Sequence, residues 1–254
     1  MSIDLFHQIL IGFSAVGLLV FIALFFVKAG YGMFRTAQWG FSLPNKIGWL
    51  LMEAPVFFVM LILWLQSGKS VSSVPFLFFL LFELHYFQRS FVFPFLMKGK
   101  SKMPVAIMLM GVVFNLLNGY IQGEWLFFLA PEDLYSSAYL CRINFWIGII
   151  VFFLGMGINW HSDYVIRHLR QPGDTKHYLP EKGMYHWVTS GNYFGELLEW
   201  IGFALATASP AAWVFVWWTF ANLAPRAYAI RQKYREEFGV EAVGKRKCLI
   251  PYIF

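Results

Sequence analysis

Charged residues are scarce in this chain of 254 residues: Asp, Glu, Lys and Arg together make up 13% of the sequence. An ordinary soluble domain carries about 25% charged residues. Hydrophobic residues make up 59% of the chain, and phenylalanine alone occurs 29 times. This composition excludes a disordered chain, a collagen and a soluble nucleic-acid binder. We therefore predict an all-α, polytopic membrane protein.

Several motifs that would indicate other chemistry are missing. Cys141 and Cys248 are the two cysteines of the sequence, which excludes a disulfide framework. The six histidines show no HxxxH or HExxH spacing, so we expect no metal, neither the di-iron centre of a membrane oxygenase nor the zinc of a protease. Gly155 and Gly157 lie inside an apolar stretch with Trp160 at the third glycine position. We interpret them as sites of close helix packing, not as a dinucleotide-binding fingerprint.

Seven apolar stretches are long enough, or nearly long enough, to cross a bilayer, which takes roughly 20 helical residues. We place the seven transmembrane helices in one domain over residues 1–254. The last two stretches are short and meet at Ser209-Pro210, so a single re-entrant hairpin is the alternative there. The predicted spans are about 6–27, 47–65, 74–97, 103–121, 139–160, 193–208 and 211–228.

The basic residues alternate between successive loops. Counted from the N-terminus, the segments outside the spans hold 0, 3, 1, 3, 0, 4, 0 and 6 Lys and Arg residues. Cytosolic loops carry an excess of these residues. The alternation therefore predicts an odd number of spans, with the N-terminus outside and the C-terminus in the cytosol. The net charge of +6 is assigned to these loops and not to a nucleic-acid surface.

Polar residues inside the spans indicate a site, because they are costly in a bilayer. Glu53 lies roughly 9 Å, and Tyr86 roughly 16 Å, from the cytosolic end of its span. Most of this polar chemistry converges on the cytosolic half of the bundle. The ionisable residues within the spans are Glu53, Glu83, His85, Arg89, Glu196 and Glu199.

Two polar stripes sharpen this prediction. One stripe has the spacing i, i+4, i+8 and i+11, which places its residues on one face of a continuous helix. Its members are Asn159, Asp163, Arg167 and Arg170. Asn192, Glu196 and Glu199 are likewise spaced i, i+4 and i+7. Such stripes suit an amphiphilic ligand whose phosphates point to the cytosol. A salt-bridged pair of juxtamembrane helices would explain the same spacing.

The residues around these stripes carry a family resemblance that covers nearly the whole chain. The runs GMGINWHSDYVIRHLRQPGD, SGNYFGELLEWIGFALAT and KRKCLIPYIF resemble the steroid 5α-reductase family, as do the earlier runs WLLMEAPV and LHYFQRSFVFP. The resemblance implies an NADPH-dependent enzyme of seven transmembrane helices. It would reduce the 4,5 double bond of 3-oxo-Δ4-steroids such as testosterone or progesterone to the 5α product.

The resemblance also implies roles for individual residues. It places the family's catalytic glutamate at Glu53 and its tyrosine at Tyr86. Negative charge builds on the steroid carbonyl oxygen during hydride transfer, and a hydrogen-bond donor aimed at that oxygen lowers the barrier. Tyr86 is a neutral donor, and a low-dielectric site favours the protonated form of Glu53, which then donates as well.

The cofactor-binding residues implied by the resemblance follow the fifth span, open the sixth, and lie near the C-terminus. Arginine suits the pyrophosphate and the 2′-phosphate, whereas Glu196 and Asn192 suit ribose hydroxyls or the carboxamide. Tyr178, next to His177, is the member from the intervening loop. The set is Asn159, His161, Asp163, Arg167, Arg170, Tyr178, Asn192, Glu196, Trp200, Arg226, Tyr234 and Arg246.

Some positions depart from the mammalian pattern of the family and leave the substrate open. Met52 and Met97 stand in place of polar amides, Lys100 in place of an arginine, and Ile230 in place of a histidine. The alternatives are a polyprenol or enoyl-thioester reductase of the wider family, or a seven-helix transporter or receptor. The predicted partners are a steroid or related enone lipid and the bilayer, either a bacterial inner membrane or the endoplasmic reticulum. The sequence is compatible with a monomer.

Overall fold

The computed structural model of the chain describes residues 1–254 apart from 29, 31, 35, 100, 171–173 and 175. The described residues are mostly helical, with one pair of three-residue antiparallel strands in which Leu43 lies opposite Met103. The helices are α1 (Ile3–Phe26), α2 (Asn45–Ser67), α3 (Val74–Leu96), α4 (Val105–Leu129), α5 (Ile143–Arg167), α6 (Gly191–Thr207), α7 (Pro210–Phe238) and the short α8 (Val240–Val243), and the strands are β1 (Ser42–Pro44) and β2 (Lys102–Pro104). The helix α3 contains a π-helical turn at Gln88–Val92, and α4 ends in another at Trp125–Leu129.

Each predicted span contains one long helix, and five of these helices are long and apolar enough to cross a membrane. The five are α1 to α5, with 23 to 25 residues each. The helix α6 has 17 residues, or about 26 Å, and α7 is not among the five helices that are apolar enough. The sixth and seventh spans therefore remain predictions. Because five such helices lie among the described residues, the chain is a helical membrane protein.

Three helices extend well beyond the ends of their predicted spans. The span predicted to end near 121 belongs to α4, which continues through an apolar π-helical turn to Leu129, whereas the other two helices continue in polar residues. The span predicted to end near 228 belongs to a helix that continues to Phe238, and the span predicted to end near 160 belongs to one that continues to Arg167. Hydropathy marks where an apolar stretch ends. The helix itself continues because Arg, Gln, Lys and Glu are good helix formers.

One end of the bundle gathers the loops that are rich in Lys and Arg. The segments before α2 and before α4 pair through β1 and β2. The segment between α5 and α6 pairs with the C-terminal segment through a parallel bridge. The Lys233 ammonium donates to the carbonyl oxygen of Met33 at 2.8 Å, which joins α7 to the first of these loops. Arg35 and Lys100, two of the basic residues in these loops, lie outside the described residues.

The opposite end gathers the segments that are poor in Lys and Arg, although Arg142 lies there. The amino group of Met1 lies 3.2 Å from Glu124 Oε1 at the end of α4. The Tyr135 hydroxyl, in the segment between α4 and α5, donates to the carbonyl oxygen of Thr207 at 2.8 Å. The loops rich in Lys and Arg thus lie at one end of the bundle, and the orientation of that end in the membrane stays a prediction.

Glycines bring α5 and α6 into backbone contact. A Cβ atom at Gly155 would overlap the backbone nitrogen of Glu199 and lie 2.6 Å from the carbonyl oxygen of Gly195. Gly148 on α5 and Gly202 on α6 make the same kind of contact one heptad away. Because no Cβ separates them, the two helices bring their polar residues close together. The packing prediction is confirmed for Gly155.

The second glycine of the predicted packing pair has a different environment. A Cβ atom at Gly157 would meet no atom within 4 Å. The packing interpretation was therefore wrong for Gly157, because residues two apart on a helix point in directions about 200° apart.

This contrast predicts a difference in stability between two variants. Gly155→Ala is expected to lower the free energy of unfolding by about 2 kcal/mol, since its methyl group would push two backbones apart. Gly157→Ala, the matched control on the same helix, is expected to be neutral or slightly stabilising. Thermal unfolding of both variants in detergent measures the difference. Equal melting temperatures would show that α5 and α6 are not in backbone contact.

Candidate active site

The two residues predicted to be catalytic come from different helices, and both contact a third helix, α4. Glu53 belongs to α2 and Tyr86 to α3. Asn115 Nδ2 donates to Glu53 Oε2 at 3.0 Å. Asn118 Nδ2 lies at the limit of hydrogen-bond distance from the Tyr86 hydroxyl oxygen, at 3.5 Å. Since this oxygen accepts from Asn118, the phenolic proton of Tyr86 is free to be donated elsewhere.

A row of side-chain amides on α4 supports this pair. Asn115, Asn118 and Gln122 are spaced i, i+3 and i+7, so they share one face of the helix. Gln122 Nε2 donates to Asn118 Oδ1 at 3.3 Å and to the carbonyl oxygen of Ala211 at 2.9 Å. The first of these bonds orients the Asn118 amide with its nitrogen toward Tyr86. The sequence prediction did not include these three amides, because it selected polar residues near ionisable groups on the same helix face, and this stretch of α4 has none.

Aromatic rings pack around the ring of Tyr86. The Trp200 ring centroid lies 5.8 Å from that of Tyr86, 4.5 Å from that of His85 and 4.4 Å from that of Phe215. His85 Nδ1 lies 2.9 Å from Glu199 Oε1, and both side chains are buried. The structure thus places Trp200, a predicted cofactor residue, directly beside the predicted catalytic tyrosine.

A buried arginine connects this pair to the acidic residues of α5 and α6. The guanidinium of Arg89 lies 3.6 Å from Asp163 Oδ2 and 3.7 Å from Glu196 Oε2. Its carbon lies 4.5 Å from the ring centroids of both Trp49 and Phe93, within the range of a cation–π contact. The sequence analysis counted Arg89 among the costly polar residues but gave it no role.

The two predicted stripes face each other across the α5–α6 contact. Asn159 Nδ2 donates to the carbonyl oxygen of Asn192 at 2.9 Å. Asn192 Nδ2 in turn donates to Asp163 Oδ1 at 3.0 Å, and the Tyr185 hydroxyl donates to Asn192 Oδ1 at 3.4 Å. Arg89, which lies near both Asp163 and Glu196, connects Glu196 to this group, so that four residues of the predicted cofactor set form one polar surface.

Basic side chains surround an aromatic ring at the basic end of the bundle. The Phe34 ring centroid lies 5.7 Å from the guanidinium carbon of Arg226 and 5.6 Å from each of the Lys28 and Lys233 ammonium groups. Arg226 Nε also donates to the Tyr193 hydroxyl at 2.8 Å. Of these three cations, the sequence analysis named Arg226. Lys28 and Lys233 lie over the Phe34 ring in contacts that residue spacing does not reveal.

The remaining members of the predicted cofactor set lie nearer the surface. Arg170 follows the end of α5 at Arg167, so the predicted stripe of four residues does not lie on one continuous helix. Arg167 is half-buried, and His161 is exposed. The exposed Tyr178 hydroxyl donates to Asp174 Oδ2 at 2.7 Å, a bond that lowers the pKa of that carboxyl below its ordinary value.

Two further members lie close to the C-terminal segment. Tyr234 is buried, and its ring lies 5.9 Å from that of Phe238. The guanidinium of Arg246 donates to the backbone carbonyl oxygens of Val243 at 2.9 Å and Pro180 at 3.0 Å, and to that of Ala242. Arg246 thus connects the segment before α6 to the C-terminal segment.

Several buried polar atoms between α5 and α6 accept no hydrogen bond from any described residue. They are Ser162 Oγ, Asp163 Oδ2, Ser190 Oγ and Glu199 Oε2. Buried polar atoms without partners are uncommon, because each lost hydrogen bond costs about 1–3 kcal/mol. Of these atoms, Asp163 Oδ2 lies on the polar surface, 3.6 Å from the Arg89 guanidinium, and its capacity to accept a hydrogen bond suits a polar ligand.

Comparisons with known proteins show the family to which the chain belongs. A family model described as 3-oxo-5-alpha-steroid 4-dehydrogenase matches residues 101–254. The chain is 34% identical over 254 residues to steroid 5-alpha-reductase DET2 of Gossypium hirsutum, and the match covers 98% of each chain. It is 36% identical over 250 residues to 3-oxo-5-alpha-steroid 4-dehydrogenase 2 of Sus scrofa, covering 97% of this chain and 96% of the relative. The Homo sapiens protein of that name is 37% identical over 237 residues, and the match covers 92% of this chain and 91% of the relative.

The resemblance seen in the sequence is confirmed by these matches, since the family model covers more than half of the chain and the relatives cover nearly all of it. The chain is an oxidoreductase and belongs to the 3-oxo-5-alpha-steroid 4-dehydrogenase family.

Proposed function

We propose that this chain reduces the 4,5 double bond of 3-oxo-Δ4-steroids with NADPH, and that Tyr86 and Glu53 activate the C3 carbonyl group. The observation that carries the proposal is that the Glu53 carboxyl and the Tyr86 hydroxyl both contact amides on one face of α4. The names of the relatives supply the substrate class.

The residues of this chain fit NADPH as the cofactor. The polar surface of Asn159, Asp163, Asn192 and Glu196 offers acceptors and amides for ribose hydroxyls or the carboxamide, and its buried Asp163 Oδ2 accepts no hydrogen bond from the described residues. The cations around Phe34 suit phosphate groups, which carry several negative charges. When bound there, NADPH supplies the hydride that reduces C5 of the steroid.

Tyr86 and Glu53 then stabilise the charge that develops on the steroid. As C5 is reduced, negative charge builds on the C3 oxygen, and a proton added at C4 completes the reduction. The Tyr86 O–H donates to that oxygen, and the bond that Tyr86 accepts from Asn118 strengthens it as a donor. Glu53 donates in its protonated form, which a low-dielectric surrounding favours.

The surrounding rings exclude water from this step. Phe82, Trp200 and Phe215 are buried, and the first two lie against Tyr86. An apolar enclosure also accepts an apolar steroid, and it increases the strength of each hydrogen bond to the oxygen because the local dielectric constant is low.

The proposal includes a placement in the membrane. All seven long helices would cross the bilayer, with the N-terminus outside and the cofactor surface facing the cytosol, while the steroid enters from the lipid. The gathering of the Lys- and Arg-rich loops at the end that holds the Phe34 cations supports this orientation.

The first experiment measures NADPH oxidation by the purified protein in detergent, with and without testosterone or progesterone, and the mass of the product. A product heavier by two hydrogens supports the proposal. Oxidation of NADPH with a polyprenol or an enoyl thioester, and not with a steroid, would replace the substrate. No binding of NADPH would overturn the cofactor assignment and favour a transporter or receptor.

Removing the phenolic hydroxyl of Tyr86 is expected to slow the chemical step. Tyr86→Phe is expected to lower kcat by about 100-fold, since one donor to a developing oxyanion is lost, and to leave NADPH binding unchanged. The control is Tyr139→Phe, which removes a buried hydroxyl that accepts from Asn144 away from the site. Steady-state kinetics and a cofactor titration separate the two effects. Full activity in Tyr86→Phe would remove Tyr86 from the mechanism.

Neutralising a cation near Phe34 is expected to weaken cofactor binding without affecting chemistry. Arg226→Gln is expected to raise the KM for NADPH by about tenfold at unchanged kcat, because a charge-assisted hydrogen bond to a phosphate is lost. Arg142→Gln is the matched control, since the Arg142 guanidinium lies over the Tyr139 ring at the opposite end of the bundle. An unchanged KM for NADPH in Arg226→Gln would exclude this cation from the phosphate site.

A further inference from the structure

We infer that Asn115 is a positioning residue that determines which oxygen of the Glu53 carboxyl faces the substrate carbonyl. The inference rests on the proposed function, because it assigns a role to the carboxyl group that the proposed mechanism uses. It concerns a neutral side chain on α4 that the sequence analysis did not select.

The single amide nitrogen of Asn115 makes two hydrogen bonds to α2. It donates to the carbonyl oxygen of Met52 at 2.8 Å and to Glu53 Oε2 at 3.0 Å. An asparagine amide nitrogen carries two protons, so both are used. The bond to the backbone fixes the amide relative to α2, and the second proton then points at one particular carboxyl oxygen.

The bond to Oε2 has a chemical consequence for Glu53. A protonated carboxyl group has one hydroxyl oxygen, which donates, and one carbonyl oxygen, which accepts. Because Asn115 can only donate through its nitrogen, Oε2 is the accepting oxygen and the proton resides on Oε1. No described residue makes a hydrogen bond to Oε1. The donor proton of Glu53 is therefore on the oxygen that remains available to the steroid.

The close contact between α2 and α4 holds the Asn115 amide in place. Gly111, Asn115, Gly119 and Gly123 follow one another at intervals of four residues on α4. A Cβ atom at Gly111 would lie 2.5 Å from the sulfur of Met52, and one at each of the two other glycines would meet side chains of α2 within 3 Å. Asn115 itself is 4% exposed. It therefore lies in the tightest part of the interface, where its side chain has little freedom to turn.

A role limited to packing would not require this geometry. One hydrogen bond to the carbonyl oxygen of Met52 would be enough to join α4 to α2, whereas the second bond acts on a side chain that the proposed mechanism uses. A useful comparison is Asn144, whose amide also bridges two elements by donating to the carbonyl oxygen of Leu205 at 3.0 Å and to the Tyr139 hydroxyl at 3.3 Å. Asn144 has the same bonding pattern and lies outside the proposed site.

The experiment compares Asn115→Leu with Asn144→Leu in the full-length protein in detergent, using testosterone and NADPH. Both changes keep the side-chain shape and remove the donors. Asn115→Leu is expected to lower kcat by about tenfold with an unchanged KM for NADPH, because Glu53 loses its fixed orientation. Asn144→Leu is expected to lower thermal stability and to keep kcat.

Repeating the Asn115 substitution in Glu53→Ala protein distinguishes a positioning role of Asn115 from a packing role. In Glu53→Ala protein, the further change Asn115→Leu is expected to leave kcat unchanged, since there is no carboxyl group left to orient. An equal loss of kcat in both backgrounds would overturn the inference and assign Asn115 to packing. If Asn115→Leu does not fold, Asn115→Ser retains one donor and is expected to give a kcat between those of the wild type and Glu53→Ala.

Infrared spectroscopy tests the same bond without turnover. The carboxylic-acid C=O band that disappears in Glu53→Ala is expected at a higher frequency in Asn115→Leu, because a hydrogen bond accepted by the carbonyl oxygen weakens the C=O bond. A band that does not move, or that is absent from the wild type, would overturn the inference. Wild-type protein that does not reduce steroids would overturn the proposed function itself, whereas normal wild-type turnover with an unaffected Asn115→Leu would overturn this inference alone.

Discussion

The positive charge of Arg89 connects four helices in a part of the bundle that is closed to solvent. Its guanidinium belongs to α3, packs on Trp49 of α2 and lies near Asp163 of α5 and Glu196 of α6. A buried charge is tolerated where opposite charges and hydrogen bonds compensate it. The carboxylates of α5 and α6 are equally costly without the arginine. The Arg89 guanidinium and the two carboxylates therefore compensate one another, and this requires the four helices to meet at this point.

The α5–α6 contact places the two carboxylates where the arginine can reach them. Gly155 and Gly195 let the helix backbones touch, so the stripes that contain Asp163 and Glu196 lie side by side. A larger residue at either glycine would separate the stripes and increase the distance that Arg89 has to span. The polar surface proposed for the cofactor is thus a consequence of small residues, although these residues carry no chemistry of their own.

Much of this arrangement could be predicted from the sequence, because it depends on spacing along single helices. Asn159 and Asp163 are one turn apart, as are Asn192 and Glu196, and the structure confirms that these pairs lie on facing surfaces. The end of α7 could not be predicted in the same way, because hydropathy follows the apolar stretch and the helix continues beyond it to Phe238.

Contacts across the sequence could not be predicted, because no local pattern encodes them. Asn115 meets Glu53 across 62 positions, and Lys233 meets the carbonyl oxygen of Met33 across 200. The amide row of α4 did leave a signal, namely three amides on one face of an apolar helix. This signal is weaker than that of a charged residue, because burying an amide in a membrane costs less free energy than burying a charge.

The site separates neutral donors from charged groups, and this separation follows from the two kinds of ligand proposed for it. On the α4 side, Asn115, Asn118 and Gln122 are neutral and act on Glu53 and Tyr86 through hydrogen bonds alone. The charged residues Arg89, Asp163 and Glu196 lie toward α5 and α6. A steroid is neutral until the reaction begins, so a fixed cation at its carbonyl group would remain poorly compensated between turnovers. Neutral donors avoid that cost and still stabilise the oxyanion when it forms, because they are already oriented toward it.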